Sequence, residues 1–131
     1  MSGRPWIYGQ FRDVVIPAVC HILDNLTGGG SRQLRPNERG DPVKVSRAVS
    51  SAVAEGVLVG RWDGNYGDGR LPSEWTGSVA ILEEFMKAGG HRPVKYAQCW
   101  VYAGLVTTSE CTLGISNYLL KQDFLLYIPR V

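Results

Sequence analysis

The sequence predicts an α+β fold built mainly from helices. Segments with apolar residues at helical spacing recur between residues 10 and 113, and only short apolar runs of strand length separate or follow them. At 131 residues and 44% hydrophobic content, the chain has room for one small domain with a buried core.

Gln10 to Leu23 carries Phe11, Val14, Val15, Ala18, Val19, Ile22 and Leu23 on one face. Pro17 falls inside that pattern and removes a backbone donor, so two helical pieces meeting there are expected. Leu26 to Asp41 has no period and is rich in Gly, Ser, Asn, Arg and Pro, which reads as a surface loop. Asp41-Pro42 then opens a helix through Val43, Val45, Ala48, Val49, Ala52 and Val53, with an acidic cap, proline at the first position and Gly56 at the end. Val57-Leu58-Val59-Gly60 reads as a short strand, and Arg61 to Ser73 as a glycine- and aspartate-rich loop. In that loop Asp63, Asn65 and Asp68 approach an EF-hand pattern. Gly67 stands where a ligand is wanted, however, and Asp68 where the glycine belongs, so an ordinary turn is the better reading.

The next helix presents Val79, Leu82, Phe85 and Met86, with Thr76 or Ser78 as its cap and Gly89-Gly90 as its stop. His91 to Lys95 leads into a last helix from about Gln98 to Leu113, ended by Gly114. Tyr118-Leu119-Leu120 and Phe124-Leu125-Leu126-Tyr127-Ile128 read as strands.

Fourteen basic and twelve acidic residues leave a net charge of +2, too balanced to suggest nucleic acid or a membrane surface as partner. Arg32, Arg35, Arg39, Lys44 and Arg47 are interleaved with Asn37, Glu38 and Asp41, as in a solvated loop. No run is long and apolar enough for a transmembrane segment. The first residues lack the apolar core of a signal peptide, so a cytoplasmic protein is expected. Cys20, Cys99 and Cys111 show neither zinc spacing nor a disulfide framework and are expected as free thiols.

Cys99, in Tyr96-Ala97-Gln98-Cys99-Trp100, stands where the last helix begins. Unpaired N–H groups and the positive end of the helix dipole stabilise a thiolate there, which makes such a sulfur a usable nucleophile. Pro93 to Gly104 resembles the active-site signature of the animal transglutaminases, Val-Arg/Lys-Tyr-Gly-Gln-Cys-Trp-Val-Phe-Ala-Gly, with Ala97 in place of a glycine. Pro5 to Phe11, Arg39 to Arg47, Gly56 to Trp62 and Trp75 to Leu82 resemble further segments of that family, in family order.

The resemblance implies a partial papain-like core, mainly its helical half. Residues 1–115 would form part of a transglutaminase catalytic core and residues 116–131 a divergent tail. It further implies that Cys99 attacks the γ-carboxamide of a protein glutamine, releases ammonia and holds a thioester until a lysine or other primary amine displaces it. Its partners would then be proteins with reactive glutamine and lysine. Trp75 would support the oxyanion through its indole N–H, together with the backbone N–H of Cys99. Without the family, Trp75 reads as a packing residue.

No residue of this chain matches the family's triad histidine and aspartate. Of the two histidines, His21 reads as packed or exposed on its helix. His91 reads as a solvated loop residue; a papain-like hydrolase borrowing it as base is the weaker enzymatic alternative. The resemblance also implies calcium, yet the Asn/Asp-rich loop that supplies ligands in the family is shortened here to Ala54-Glu55-Gly56, so that site is expected to be lost. Glu110 stands where the family has an apolar residue and is expected to cost stability unless it reaches water. Against the enzyme stands a second reading, a catalytically inactive transglutaminase-like scaffold or interaction fragment.

Overall fold

The computed structural model describes residues 5–25 and 36–114. Residues 26–35 of the loop expected at 26–41, the strands expected at 118–120 and 124–128, and the tail 116–131 lie outside the described residues, and Pro36–Glu38 of that loop form a short 3-10 turn.

Helix α1 spans Val15–Asn25 and is continuous, contrary to the split expected at Pro17. The physical reason is position: the helix starts at Val15, so Pro17 sits in its first turn, where an N–H would have no intrahelical partner. Upstream, the amide of Arg12 donates to the Gly9 carbonyl at 2.9 Å, and Gly9 takes φ 60° to make that turn. Helix α2 spans Pro42–Ala52. Asp41 caps it as expected, accepting from the Val43 amide at 3.0 Å, with Pro42 at the first position.

Gly56 does not end α2 in the expected way. The chain widens at Val53–Val57 into a single π-helical turn, and the Leu58 amide closes it on the Val53 carbonyl. Strand β1, Leu58–Gly60, follows without any intervening loop.

Helix α3 spans Ser78–Lys87. Its cap position is Gly77, with no side-chain cap, rather than Thr76 or Ser78. Ser78 is spent elsewhere: its buried hydroxyl accepts from the Trp6 indole N–H at 2.9 Å and donates to the Gly104 carbonyl at 3.2 Å. Strand β2, Val94–Ala97, was not anticipated. It pairs in parallel with β1, Leu58 facing Val94 and Gly60 facing Ala97, and the intervening α3 provides the crossover that parallel strands need. Helix α4, Cys99–Thr112, matches expectation closely, and Gly114 stops it at φ 74°.

Helix α4 is the centre of the molecule. Val101, Leu105 and Val106 meet Val15, Val19 and Ile22 of α1, Val45 and Val49 of α2, and Ile81, Leu82 and Phe85 of α3 in one core. Burying each such side chain contributes roughly 1.5–3 kcal/mol, so this packing, more than helix propensity, holds α4 in place. Gly104 lets the Trp6 ring lie against the helix, since an added Cβ would come within 2.4 Å of the indole. Glu110 is buried, 1% exposed, and does not reach water; instead it accepts a hydrogen bond from the Ser46 hydroxyl of α2. Burial, and next the neighbouring Glu110 charge, push the Cys111 thiol up.

Candidate active site

Cys99 is the first residue of α4 and is exposed and free. Gln98 occupies the cap position, yet no side chain caps the helix. The Gln98 amide instead turns to the preceding loop, donating to the Arg61 carbonyl at 3.2 Å and to the Tyr66 hydroxyl at 3.0 Å. The residue before it is also held from there, because the Arg61 amide donates to the Ala97 carbonyl at 3.2 Å.

Tyr96 is tied on every side. Its hydroxyl donates to Asp68 at 2.6 Å, its amide donates to the Arg70 carbonyl at 3.2 Å, and its carbonyl accepts from the Trp75 indole N–H at 3.0 Å. The Arg61 guanidinium lies 4.4 Å over its ring, and the Tyr66 ring stands 5.9 Å away. Asp68 also accepts from the Lys95 ammonium at 3.2 Å. Those two hydrogen bonds, from Tyr96 first and Lys95 second, hold the Asp68 carboxyl below its usual range, and the same bond to Asp68 raises the Tyr96 phenol.

Trp75 is 4% exposed, with Arg70 stacked 4.9 Å over its ring. The resemblance gives Trp75 an oxyanion role; in the structure its indole N–H donates to the buried Tyr96 carbonyl. Trp75 instead braces the strand that delivers Cys99.

Two exposed indoles lie on this side, Trp100 beside Cys99 and the more exposed Trp62, at 62%, to which the sequence analysis assigned no role. The Trp62 ring edge and the Tyr102 hydroxyl close over Gly60 from two sides. A Cβ added there would come within 2.8 Å of Trp62 Cη2 and 2.9 Å of the hydroxyl. Tyr102 lies one turn along α4 from Cys99, on the same face. Its hydroxyl donates to the Leu58 carbonyl at 3.4 Å, and burial, followed by the proximity of Cys99, raises its phenol. A tryptophan two residues after a short strand, in a loop rich in Gly and Asp, was the available signal for Trp62; Tyr102 stands where the signature has phenylalanine.

His91 is not brought to Cys99. The two stand beyond opposite ends of β2, a strand whose four residues span about 13 Å. The His91 ring packs edge-on against His21 at 5.8 Å, and His21 Nε2 lies 2.9 Å from the Gly90 carbonyl, at the corner of α1 and α3.

No protein-family model matches the chain. A hemocyte protein-glutamine gamma-glutamyltransferase of Tachypleus tridentatus is 49% identical over 119 residues, which is 88% of this chain and 15% of that protein. The human coagulation factor XIII A chain is 42% identical over 132 residues, 94% of this chain and 17% of its own. The crystal structure of red sea bream transglutaminase superposes with a TM-score of 0.72 at 42% identity, over 83% of this chain and 17% of that one. This chain belongs to the transglutaminase family. It spans about one sixth of the length of these relatives, and the superposition bears out the partial α+β core expected from sequence.

The residues at Val53–Val57 do not fit the calcium that the family implies. Where an oxygen-rich loop was expected to be shortened, the transglutaminase-like segment Val53–Val57 is a helical turn with one carboxylate, Glu55, which accepts from the Ser51 hydroxyl at 3.1 Å. Calcium takes six to eight oxygens. Among the described residues no cluster of three or more His, Cys, Asp or Glu side chains is assembled, and no helix is long and apolar enough to cross a membrane.

Proposed function

We propose that this chain provides the nucleophile-bearing part of a protein-glutamine gamma-glutamyltransferase core. The observation that carries this reading is the exposed Cys99 thiol at the first position of α4, with Tyr96 and Gln98 before it held by the Arg61–Arg70 loop, in a chain 49% identical to a named transferase. In the reaction, Cys99 sulfur attacks the γ-carboxamide carbon of a protein glutamine, ammonia leaves with its proton, and a thioester remains. A lysine or other primary amine then attacks the thioester carbon, the Cys99 sulfur departs, and an isopeptide bond joins the two proteins.

The developing oxyanion is met by the backbone N–H groups of Cys99 and Trp100 at the start of α4, whereas those of Val101 and Tyr102 already donate to the Gln98 carbonyl. The exposed indole of Trp62, rather than that of Trp75, is the side chain that supports it. No step is routed through calcium. Three free cysteines support a reducing compartment, the cytoplasm, as the place of action.

The second reading, a non-catalytic transglutaminase-like scaffold, is favoured by one observation: His21 and His91 pack on each other and leave Cys99 without an imidazole base among the described residues. Incorporation of a fluorescent primary amine into a glutamine-bearing protein, comparing the purified chain with Cys99→Ala, separates the two. Cysteine-dependent labelling supports the transferase; no labelling by a folded sample leaves the scaffold.

A further inference from the structure

We propose that Asp68 is a positioning residue for Cys99, acting through the Tyr96 side chain. Asp68 lies on an exposed loop, 28 residues from Tyr96 in sequence, yet its carboxylate is shared among three groups around the strand that delivers Cys99. One oxygen accepts from the Tyr96 hydroxyl at 2.6 Å and stands 3.7 Å from Arg61 Nη1, and the other accepts from Lys95 Nζ at 3.2 Å.

Gly69, the next residue, shows how closely the loop is seated. A Cβ there would lie 2.7 Å from Lys95 Cβ and 2.9 Å from Tyr96 Cδ2. Asp68 and Gly69 therefore dock as a unit on Lys95 and Tyr96.

The lead into α4 makes this contact consequential. A helix start is normally fixed by a side chain that accepts from its first free amides. Here Gln98 gives α4 no such cap and spends its amide on Arg61 and Tyr66, so the same loop sets the position of the first turn. Arg61 joins the two halves of the clamp, since its carbonyl holds Gln98 and its guanidinium covers Tyr96 beside Asp68. Removing the carboxylate frees the Tyr96 phenol and leaves Arg61 and Lys95 without their shared anion. The first turn of α4 then loses a fixed point, and the thiol carried on its first residue loses its fixed placement.

The inference rests on Cys99 as the nucleophile of the proposed function, but its readout needs no acyl transfer. Iodoacetamide alkylation rates of Cys99 and Cys20 are followed in the same sample by peptide mass spectrometry, Cys20 being an exposed thiol on α1 that serves as internal standard. Asp68→Ala and Tyr96→Phe should each lower the Cys99 to Cys20 ratio by about three- to tenfold, and the double variant by no more than either alone, as for residues acting as one unit. Asp68→Asn, which keeps an acceptor for the phenol, should recover part of the loss.

An unchanged or increased ratio in a folded Asp68→Ala sample, or losses that multiply in the double variant, overturns the proposal. If Asp68→Ala fails to fold, Asp68→Asn and Tyr96→Phe carry the same comparison. A lowered ratio in a chain that incorporates no amine keeps the positioning role and removes the transferase reading; amine incorporation with an unchanged ratio does the reverse.

Discussion

The Trp75 indole N–H donates to the carbonyl of Tyr96 at 3.0 Å, three residues before Cys99. That bond is buried, and it converts a tryptophan that the family pattern offered for chemistry into a brace for the strand carrying the nucleophile.

Replacing Trp75 by phenylalanine keeps most of the ring but orphans a buried carbonyl. The cost should be about 1–3 kcal/mol of stability, read from urea unfolding. Trp62→Phe, at an exposed ring, should stay within about 0.5 kcal/mol of the parent while lowering any Cys99-dependent acyl transfer. Equal stability losses in the two variants would undo the distinction between brace and site.

Gly104→Ala sets two effects against each other. Alanine gains about 1 kcal/mol of intrinsic helix preference over glycine. The added Cβ, however, would stand 2.4 Å from a Trp6 ring anchored to Ser78, and overpacking of that kind costs about 1–3 kcal/mol. Relief of the clash needs Trp6 to abandon its hydrogen bond as well, so a net loss of about 1–2 kcal/mol is expected in thermal or urea unfolding.

Asp68 predicts a pH dependence. Its folded pKa is depressed by Tyr96 and Lys95, so the stability it contributes is present above the ordinary carboxylate value of about 4 and is lost as pH falls through the lower folded value. Urea midpoints of the parent and Asp68→Asn measured from neutral to strongly acidic pH should differ near neutrality and converge in acid. Parallel curves would show that the carboxylate contributes nothing through its charge.

Calcium gives a prediction of no effect with a defined alternative. Binding at 100 times the dissociation constant would add about 2.7 kcal/mol, several degrees in the melting temperature of a chain this size. Millimolar calcium and chelator should instead give melting temperatures within about 1 °C of each other, because the Val53–Val57 turn offers one carboxylate where a cage is required.

The helices were legible because their signals are local. Asp41-Pro42 encodes a cap and a first turn in two residues, and Gly114 ends α4 by being able to take positive φ. Pro17 misled because its effect depends on register: two residues further into α1 it would have broken the helix, and in the first turn it is neutral. Ser78 had the chemistry of a cap but was claimed by Trp6 and Gly104, partners that only the tertiary fold brings near. Strand β2 is only four residues long, and its alternation, buried Val94 and Tyr96 about exposed Lys95, breaks at buried Ala97. The placement of Cys99 at the start of α4 was legible from its motif. Its support was not, because Asp68, Arg61 and Tyr66 reach Tyr96 and Gln98 from about 30 residues away across a loop with no period of its own.

The central claim is that Cys99 is the acyl-accepting nucleophile, and an activated ester tests it most directly. The nitrophenolate of p-nitrophenyl acetate needs no proton to leave, so acylation reports the thiol and its oxyanion donors without requiring a histidine. Acetyl transfer to each cysteine would be followed by peptide mass spectrometry in the parent chain and in Cys99→Ala. The account predicts that Cys99 is acetylated well ahead of Cys20 and Cys111 and that the nitrophenolate burst disappears in Cys99→Ala. Acetylation of Cys20 at the same rate as Cys99, with a burst that survives the substitution, would contradict it.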